Sequence, residues 1–180
     1  MTNRGDPPRW QIEHDDASLG GGRVLAQLSS DRTSQRFPLA ILAASNVVDG
    51  EVRTRFKPVA GRVDQAAGLV WRYIDENNYY VVRANALEDN VVLYKVENGE
   101  RSALDPVGRE GDYGVDHPVQ QGVWSTLGVT FQGSRFTVYF NGEELFQAED
   151  AAFGQAGQVG LWTKADSVTH FDDFELLTLR

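Results

Sequence analysis

Hydrophobic and polar residues alternate over short stretches of this chain, and polar turn residues separate the stretches. The clearest example runs from Ala67 to Gly99. It predicts three successive β-strands, at Gly68–Tyr73, Asn78–Asn85 and Asn90–Val96, because each stretch is rich in Val, Leu, Tyr or Trp. No stretch of ten residues has helical periodicity. The pattern therefore indicates a chain built from strands.

The same criteria predict strands along the rest of the chain, at Trp10–Glu13, Arg23–Leu28, Glu51–Pro58, Trp124–Phe131, Arg135–Phe140, Glu143–Ala148, Gly157–Thr163 and Thr169–Leu179. Phe37–Leu42 is apolar but contains Pro38, which favours an edge strand or a crossing loop. Asn141-Gly142 predicts a hairpin turn, since both residues tolerate positive φ. Residues 100–122 lack periodicity and predict a long loop. Period-2 placement predicts a core that includes Trp71, Tyr80, Val82, Phe131, Val138, Phe140 and Leu161.

Short strands with regular turn spacing predict an all-β sandwich or barrel. The length of 180 residues suits a single domain. Residues 1–9 predict a flexible lead-in, because Gly5-Asp6-Pro7-Pro8 blocks regular structure. We therefore expect one domain over residues 10–180.

Composition narrows the classes of function. The net charge of −9 and the pI of about 4.8 argue against non-specific binding to nucleic acid or to an anionic membrane. The chain has no cysteine, which excludes disulfides, thiolate catalysis and cysteine-based metal sites. No apolar run approaches the ~20 residues of a membrane helix, so we expect no membrane insertion. No signal peptide precedes Trp10 in this sequence, which leaves a cytoplasmic protein or an exported one whose leader is missing.

Basic side chains lie within the predicted strands, at Arg72, Arg83 and Lys95. A strand normally keeps such charges on a face that water reaches. Strict alternation puts Arg72, Arg83 and Asn85 on one face and the apolar residues of the same strands on the other. Forked guanidinium donors next to aromatic rings are suited to sugars or other polar small molecules.

We therefore predict a ligand-binding face formed by Arg72, Arg83, Asn85, Lys95, Trp162 and Lys164. The alternative is that these charges only solvate an exposed sheet and pair with Glu and Asp across strands. Trp162 taken alone favours a place in the core.

Acidic residues near the C-terminus suggest a structural Ca²⁺, which requires several oxygen ligands. The predicted metal ligands are Asp173, Asp172 and Glu13, provided that the first and last strands share a sheet. Turn formation and solvation around the last strand are the alternative explanation. No other cofactor is expected.

Several segments carry a resemblance to a known superfamily: AGLVWR, NNYYVVRAN, LYKVENG, FTVYFNG and GLWTKADSVTHFDDF, spread from about Gly50 to Leu176. They resemble the concanavalin A-like lectin/glucanase domains, among them LamG-like modules. The closer resemblance is to the bacterial 3-keto-disaccharide hydrolase group, which is similar to glycoside hydrolase family 16. The resemblance implies a jelly-roll sandwich of two antiparallel sheets, one concave and one convex. It also implies a periplasmic or secreted protein.

Catalysis by the usual glycosidase mechanism requires two carboxylates that flank the scissile bond. Laminarinase-like enzymes of this fold carry them as Glu-x-Asp-x-(x)-Glu, and both partial matches here, at Glu110 and at Glu13, lack the second Glu. We therefore expect a non-catalytic carbohydrate-binding or cell-surface module. The alternatives are an enzyme acting on 3-keto-glycosides, and a protein-interaction module without a glycan ligand. The enzyme would draw its acid–base residues from Asp75, Glu88, Asp89, Asp166 and His170.

Overall fold

Two antiparallel sheets form the computed structural model, which describes residues 4–19 and 21–179. The strands are β1 (Trp10–His14), β2 (Arg23–Gln27), β3 (Leu39–Ile41), β4 (Gly50–Ala60), β5 (Ala66–Asp75), β6 (Asn78–Asn85), β7 (Asn90–Glu97), β8 (Glu100–Ala103), β9 (Val115–Asp116), β10 (Ser125–Gln132), β11 (Arg135–Phe140), β12 (Glu143–Glu149), β13 (Gln158–Trp162) and β14 (Val168–Thr178). The described residues contain no helix, and hence none able to cross a membrane.

Sheet 1 has the strand order β1-β2-β14-β4-β10-β11-β12. Sheet 2 has the order β3-β13-β5-β6-β7-β8, and β9 also pairs with β7. The last strand, β14, lies between β2 and β4, so strands from both ends of the chain meet within sheet 1. This non-sequential order and the antiparallel pairing confirm the predicted jelly-roll sandwich.

The main core lies between the sheets. It contains all seven residues predicted to be there: Trp71, Tyr80, Val82, Phe131, Val138, Phe140 and Leu161. The Trp71 ring is its centre, with ring centroids 5.5 Å from Tyr80, 6.1 Å from Phe131 and 5.2 Å from Phe136. Aromatic contacts at these distances add to the stabilisation from burial alone.

A second apolar cluster covers the outer face of sheet 2, the face turned away from sheet 1. Alternation explains it, because Tyr79 and Val81 point outward where Tyr80 and Val82 point inward. Phe37, from the segment before β3, stacks on Trp162 at 5.3 Å and covers part of this face. Sheet 2 therefore buries apolar side chains on both of its faces.

Three local features differ from the sequence-based expectations or refine them. β3 is the edge strand of sheet 2, which is one of the two outcomes expected around Pro38. The predicted loop of residues 100–122 contains the short strands β8 and β9. The predicted lead-in lies partly outside the described residues. Within its described part, the carbonyls of Asp6 and Pro7 accept hydrogen bonds from Arg36.

Candidate functional site

Arg83 forms the base of a polar cluster on the outer face of sheet 2. It lies in β6 opposite Gly68 of β5 and Val92 of β7, and only 1% of its surface is exposed. Close packing requires glycine at position 68, because a Cβ there would lie 2.9 Å from the Val82 carbonyl oxygen and 3.1 Å from the Trp162 ring. A cation this deeply buried must be compensated by nearby acceptors.

The acceptors around Arg83 come from the β6–β7 turn, from β7 and from the segment that precedes β9. Its Nη2 donates to Glu88 Oε2 at 2.6 Å, to the Tyr94 hydroxyl at 3.1 Å and to the Tyr113 hydroxyl at 3.4 Å. Its Nη1 donates to the Asn90 side chain. Its Nε is buried and has no partner among the described residues. Arg83 is thus held in place with one N–H unused.

Two of these partners form the accessible rim of the cluster. The Glu88 side chain is 37% exposed and Tyr113 is 52% exposed, whereas Tyr94 is buried. Tyr113 reaches over β7 because the chain turns sharply at Gly114, where φ is 70°. A Cβ at Gly114 would lie 2.4 Å from the Val91 carbonyl oxygen, so glycine is required there.

A second charged pair adjoins Arg83. Asn85 projects to the same side and donates to Asp64 Oδ1 at 2.6 Å, and Lys164 Nζ lies 2.5 Å from Asp64 Oδ2. The loop that carries Asp64 is fixed by Asp166, whose carboxylate accepts hydrogen bonds from the amides of residues 62, 63 and 64. The formal charges of Arg83, Lys164, Glu88 and Asp64 cancel.

The environment shifts the pKa values of Asp64 and Glu88 in opposite directions. Burial raises the pKa of Asp64, and the Lys164 ammonium counters part of that rise. Burial would also raise the pKa of Glu88, but the charge and hydrogen bond of Arg83 outweigh it and leave that pKa below its usual value. Glu88 is therefore ionised at neutral pH and serves as an acceptor at the rim.

The prediction that Arg72 lies on the same outer face as Arg83 is wrong. A β-bulge follows Trp71, where Arg72 has a φ of 47° and the register with β6 shifts. Arg72 consequently turns inward like Trp71, and its guanidinium carbon lies 5.8 Å from the Phe136 ring centroid in the main core. Arg83 and Arg72 are on opposite sides of sheet 2.

Arg72 is also saturated with internal partners. Its Nε donates to the Val48 carbonyl at 3.1 Å, its Nη1 to the Phe153 carbonyl at 2.8 Å, and its Nη2 to the Gly133 carbonyl at 2.7 Å. Nη2 also lies 3.2 Å from Asp49 Oδ1. This arginine joins loops of the sandwich and has no access to a ligand on the outer face.

Lys95 and Trp162 also depart from the predicted arrangement. Lys95 pairs with Tyr80 across β6 and β7, so it belongs to the inner side, where its Nζ lies 3.2 Å from Asp150 Oδ2. Trp162 is on the outer face but fully buried beneath Phe37. Of the six predicted ligand-binding residues, the outer cluster brings together Arg83, Asn85 and Lys164.

The predicted metal ligands do not converge. Glu13 is in β1, which β2 separates from β14 and therefore from Asp172 and Asp173. Asp173 Oδ2 lies 3.8 Å from Arg55 Nη1. Within residues 4–19 and 21–179, no group of three or more His, Asp or Glu side chains is placed to hold a metal ion. Calcium binding stays a prediction without a ligand set.

The candidate acid–base residues are dispersed. Glu88 and Asp89 lie in the β6–β7 turn, Asp75 ends β5 and binds the Asn77 amide, and Asp166 is buried against loop amides. His170 is in sheet 1, where its Nδ1 lies 2.9 Å from Asp15 Oδ2.

Sequence reasoning missed four members of the cluster: Asp64, Asn90, Tyr94 and Tyr113. Tyr94 could have been found, because it alternates outward on β7 beside the β6 face that was proposed. Asn90 is the first residue of β7, and the antiparallel pairing of β7 with β6 places its side chain beside Arg83. Asp64 and Tyr113 lie in loops without periodicity, so no pattern pointed to them.

Comparison with known proteins supports the fold. No protein-family model and no curated protein sequence matches the chain. The carbohydrate-binding module CBM66 from Bacillus subtilis superposes with a TM-score of 0.73 at 20% identity, over 98% of this chain and 99% of that one. The cellulose-induced protein Cip1 gives a TM-score of 0.69 at 10% identity, over 99% and 88%.

An agglutinin has a similar fold as well. The homodimeric agglutinin CG-16 from chicken liver gives a TM-score of 0.54 at 16% identity, over 77% of this chain and 98% of that one. At these identities the similarity concerns the fold alone. With the two antiparallel sheets described above, it shows that this chain has a jelly-roll fold, the fold that the resemblance to the concanavalin A-like lectin/glucanase domains implies.

Proposed function

We propose that this protein is a non-catalytic carbohydrate-binding module, and that it binds a neutral sugar at the rim formed by Glu88 and Tyr113, beside Lys164. One observation carries the proposal: a fully buried arginine, Arg83, holds the accessible Glu88 and Tyr113 in a cluster whose formal charges cancel. Such a rim matches the hydroxyls of an uncharged sugar better than an acid or a base.

The similarity of the fold to CBM66 adds support, because that protein is described as a carbohydrate-binding module. The net charge of −9 also disfavours acidic polysaccharides as partners. Tyr113 offers a half-exposed ring for contact with the apolar side of a sugar.

Hydrolysis fits the cluster less well than binding does. A retaining or inverting glycosidase presents two carboxyl groups to the scissile bond. Here the Asp64 side chain is fully buried and held by Asn85 and Lys164, which leaves Glu88 as the exposed carboxylate of the cluster. The 3-keto-disaccharide hydrolase activity implied by the resemblance stays a prediction.

Calorimetric titration with neutral oligosaccharides (gluco-, xylo-, galacto- and fructo-oligosaccharides) tests the proposal. We expect at least one to bind, and Glu88→Gln and Tyr113→Ala each to weaken that binding about tenfold, the effect of ~1.4 kcal/mol. Glu149→Gln is the matched control, because Glu149 forms a similar ion pair with the exposed Arg135. Unchanged affinity in both rim variants, or no binding by the wild type, would reject the site.

A further inference from the structure

The outer face of sheet 1 contains a gap in its layer of side chains. On β10, Thr126, Gly128 and Thr130 point outward, because Leu127 and Val129 belong to the core. Gly128 lies between Arg53 on β4 and Tyr139 on β11. The missing side chain leaves a cleft of about 300 Å³ lined by Glu51, Arg53, Thr126, Gly128, Tyr139 and Gly142.

Neither backbone conformation nor crowding requires glycine at position 128. Its φ is not in the positive range, and an added Cβ would meet the Cβ atoms of Arg53 and Tyr139 at 3.6 Å, an ordinary contact distance. Glycine within a strand is unfavourable compared with a β-branched residue. The open cleft is therefore the feature that glycine provides here.

The walls of the cleft have the chemistry of a sugar site. Tyr139 is a partly exposed aromatic side chain on one side. On the other side the exposed Arg53 guanidinium donates through Nε and Nη2 to Glu175 Oε2, at 3.0 and 2.7 Å. Glu51 and the Thr126 hydroxyl add acceptors and a donor at the ends of the cleft.

The same face continues to Trp124, the residue that precedes β10. The Arg55 guanidinium carbon and the Lys57 Nζ lie 5.1 and 5.4 Å from the centroid of the Trp124 ring. Trp124 Nε1 and Arg55 Nη1 are buried and form no hydrogen bond with the described residues, and Arg55 Nη1 lies 3.8 Å from Asp173 Oδ2. Trp124 comes four positions before Gly128, which corresponds to about 13 Å along an extended chain. The surface is long enough for an oligosaccharide.

We propose that this strip, from the Gly128 cleft to Trp124, is a second carbohydrate-binding surface that takes a neutral polysaccharide chain. It is independent of the Arg83 cluster, because the whole thickness of the sandwich separates the outer faces of the two sheets. The basic side chains of the strip are balanced by acidic ones, Arg53 by Glu175 and Lys57 by Asp15. This balance and the net charge of −9 favour an uncharged ligand.

Gly128→Val tests the strip by filling the cleft without deleting any group. The probes are hydroxyethyl cellulose, xylan, galactan and inulin in native affinity gels, with Glu88→Gln as the parent protein. We expect the parent to bind at least one probe, and Gly128→Val to weaken that binding about tenfold or more while Tm stays equal or rises. Thr130→Val, the next outward position of β10, is the matched control and should bind as the parent does.

Tyr139 variants distinguish a contact between the aromatic ring and the sugar from an effect of the shape of the cleft alone. Tyr139→Ala should weaken binding about three- to tenfold, as expected for a lost aromatic contact, and Tyr139→Phe should restore most of it. Parent-like binding by Gly128→Val, or no binding by the parent, would overturn the proposal. So would a dimer that Gly128→Val abolishes without any change in polysaccharide binding. If Glu88→Gln binds like the wild type and Gly128→Val does not, the Arg83 site fails and this strip stands.

Discussion

At the scale of single residues, two buried arginines in neighbouring strands have opposite roles. Arg83 binds Glu88 and Tyr113, which also reach the surface, whereas Arg72 binds main-chain carbonyls of three loops and Asp49 inside the sandwich. A buried charge whose partners are removed is costly, and so are partners left without the charge. Arg72 is therefore a structural residue.

Replacement of Arg72 by Met should cost about 3–5 kcal/mol of unfolding free energy, because three carbonyl oxygens and a carboxylate lose their donor. Urea denaturation measures the loss. Arg135→Met, which removes an exposed ion pair with Glu149, is the control and should change the unfolding free energy little. Equal effects in the two variants would contradict the structural role given to Arg72.

Asp15 should make stability depend on acid pH. Burial by itself would raise its pKa, but hydrogen bonds from Lys57, His170 and the Ala17 amide lower the pKa to about 2. A carboxyl group with a lowered folded-state pKa stabilises the fold above its unfolded pKa, and this stabilisation disappears as pH falls through the folded value.

The difference in unfolding free energy between wild type and Asp15→Asn should therefore be largest above about pH 4 and shrink toward pH 2. Urea titrations between pH 6 and pH 2 measure it. Asp16→Asn, at a neighbouring position whose side chain is 96% exposed, is the control. A difference that stays constant over this range would mean that Asp15 does not titrate as described.

At the scale of elements, the β11–β12 hairpin follows the turn chemistry of its sequence. Asn141 and Gly142 have φ values of 50° and 85°, the positive values that a two-residue hairpin turn requires. Gly142→Ala should destabilise the protein by about 1 kcal/mol through this backbone conformation alone, since nothing lies within 4 Å of the added Cβ.

Gly154→Ala is the matched control for the hairpin, because Gly154 has equal free space and no positive φ. Thermal denaturation of the two variants compares them. If Gly154→Ala lowers Tm as much as Gly142→Ala does, backbone strain in the turn is not the cause.

Strand alternation predicted β6 correctly and β5 only in part, for a physical reason. Tyr80, Val82 and Ala84 face the core as expected, because β6 keeps its register with both neighbours at these residues. In β5 the bulge after Trp71 inverts the alternation, and no residue type in AGLVWRYID marks it. Alternation therefore placed Arg83 and Asn85 on the correct face and Arg72 on the wrong one.

Long-range packing accounts for the remaining members of the Arg83 cluster. Tyr113 is 30 residues from Arg83 and Asp64 is 102 residues from Asp166, the residue that fixes its loop. Such contacts depend on how loops cross the sheet, which local periodicity does not encode. The fold, in contrast, depends on period-2 patterning and turn residues, and these are local.

At the scale of the whole molecule, β14 holds sheet 1 together. It pairs with β4 over most of its length and with β2 on its other side. A chain that ends at residue 165 would separate β1 and β2 from the rest of the sheet and expose the core face around Phe56.

We expect this shortened chain to lack cooperative thermal unfolding and to bind a hydrophobic dye, because exposed strand edges and core residues remain. Near-ultraviolet circular dichroism and calorimetry measure the outcome. A sharp unfolding transition close to that of the full chain would show that sheet 1 is stable without β14.

The way Arg72 is held has a consequence for the divergence of such sequences. Every residue type supplies a main-chain carbonyl, so the hydrogen bonds from Arg72 place no demand on the side chains of Val48 and Phe153. Substitutions at those positions therefore keep the contact. The arginine cannot be replaced in the same way, because no other side chain has the planar arrangement of five N–H donors. Among distant relatives, an arginine one residue after a core tryptophan would then be the sign of this loop junction, and the position of Asp49, whose carboxylate pairs with Arg72, would be the one expected to covary with it.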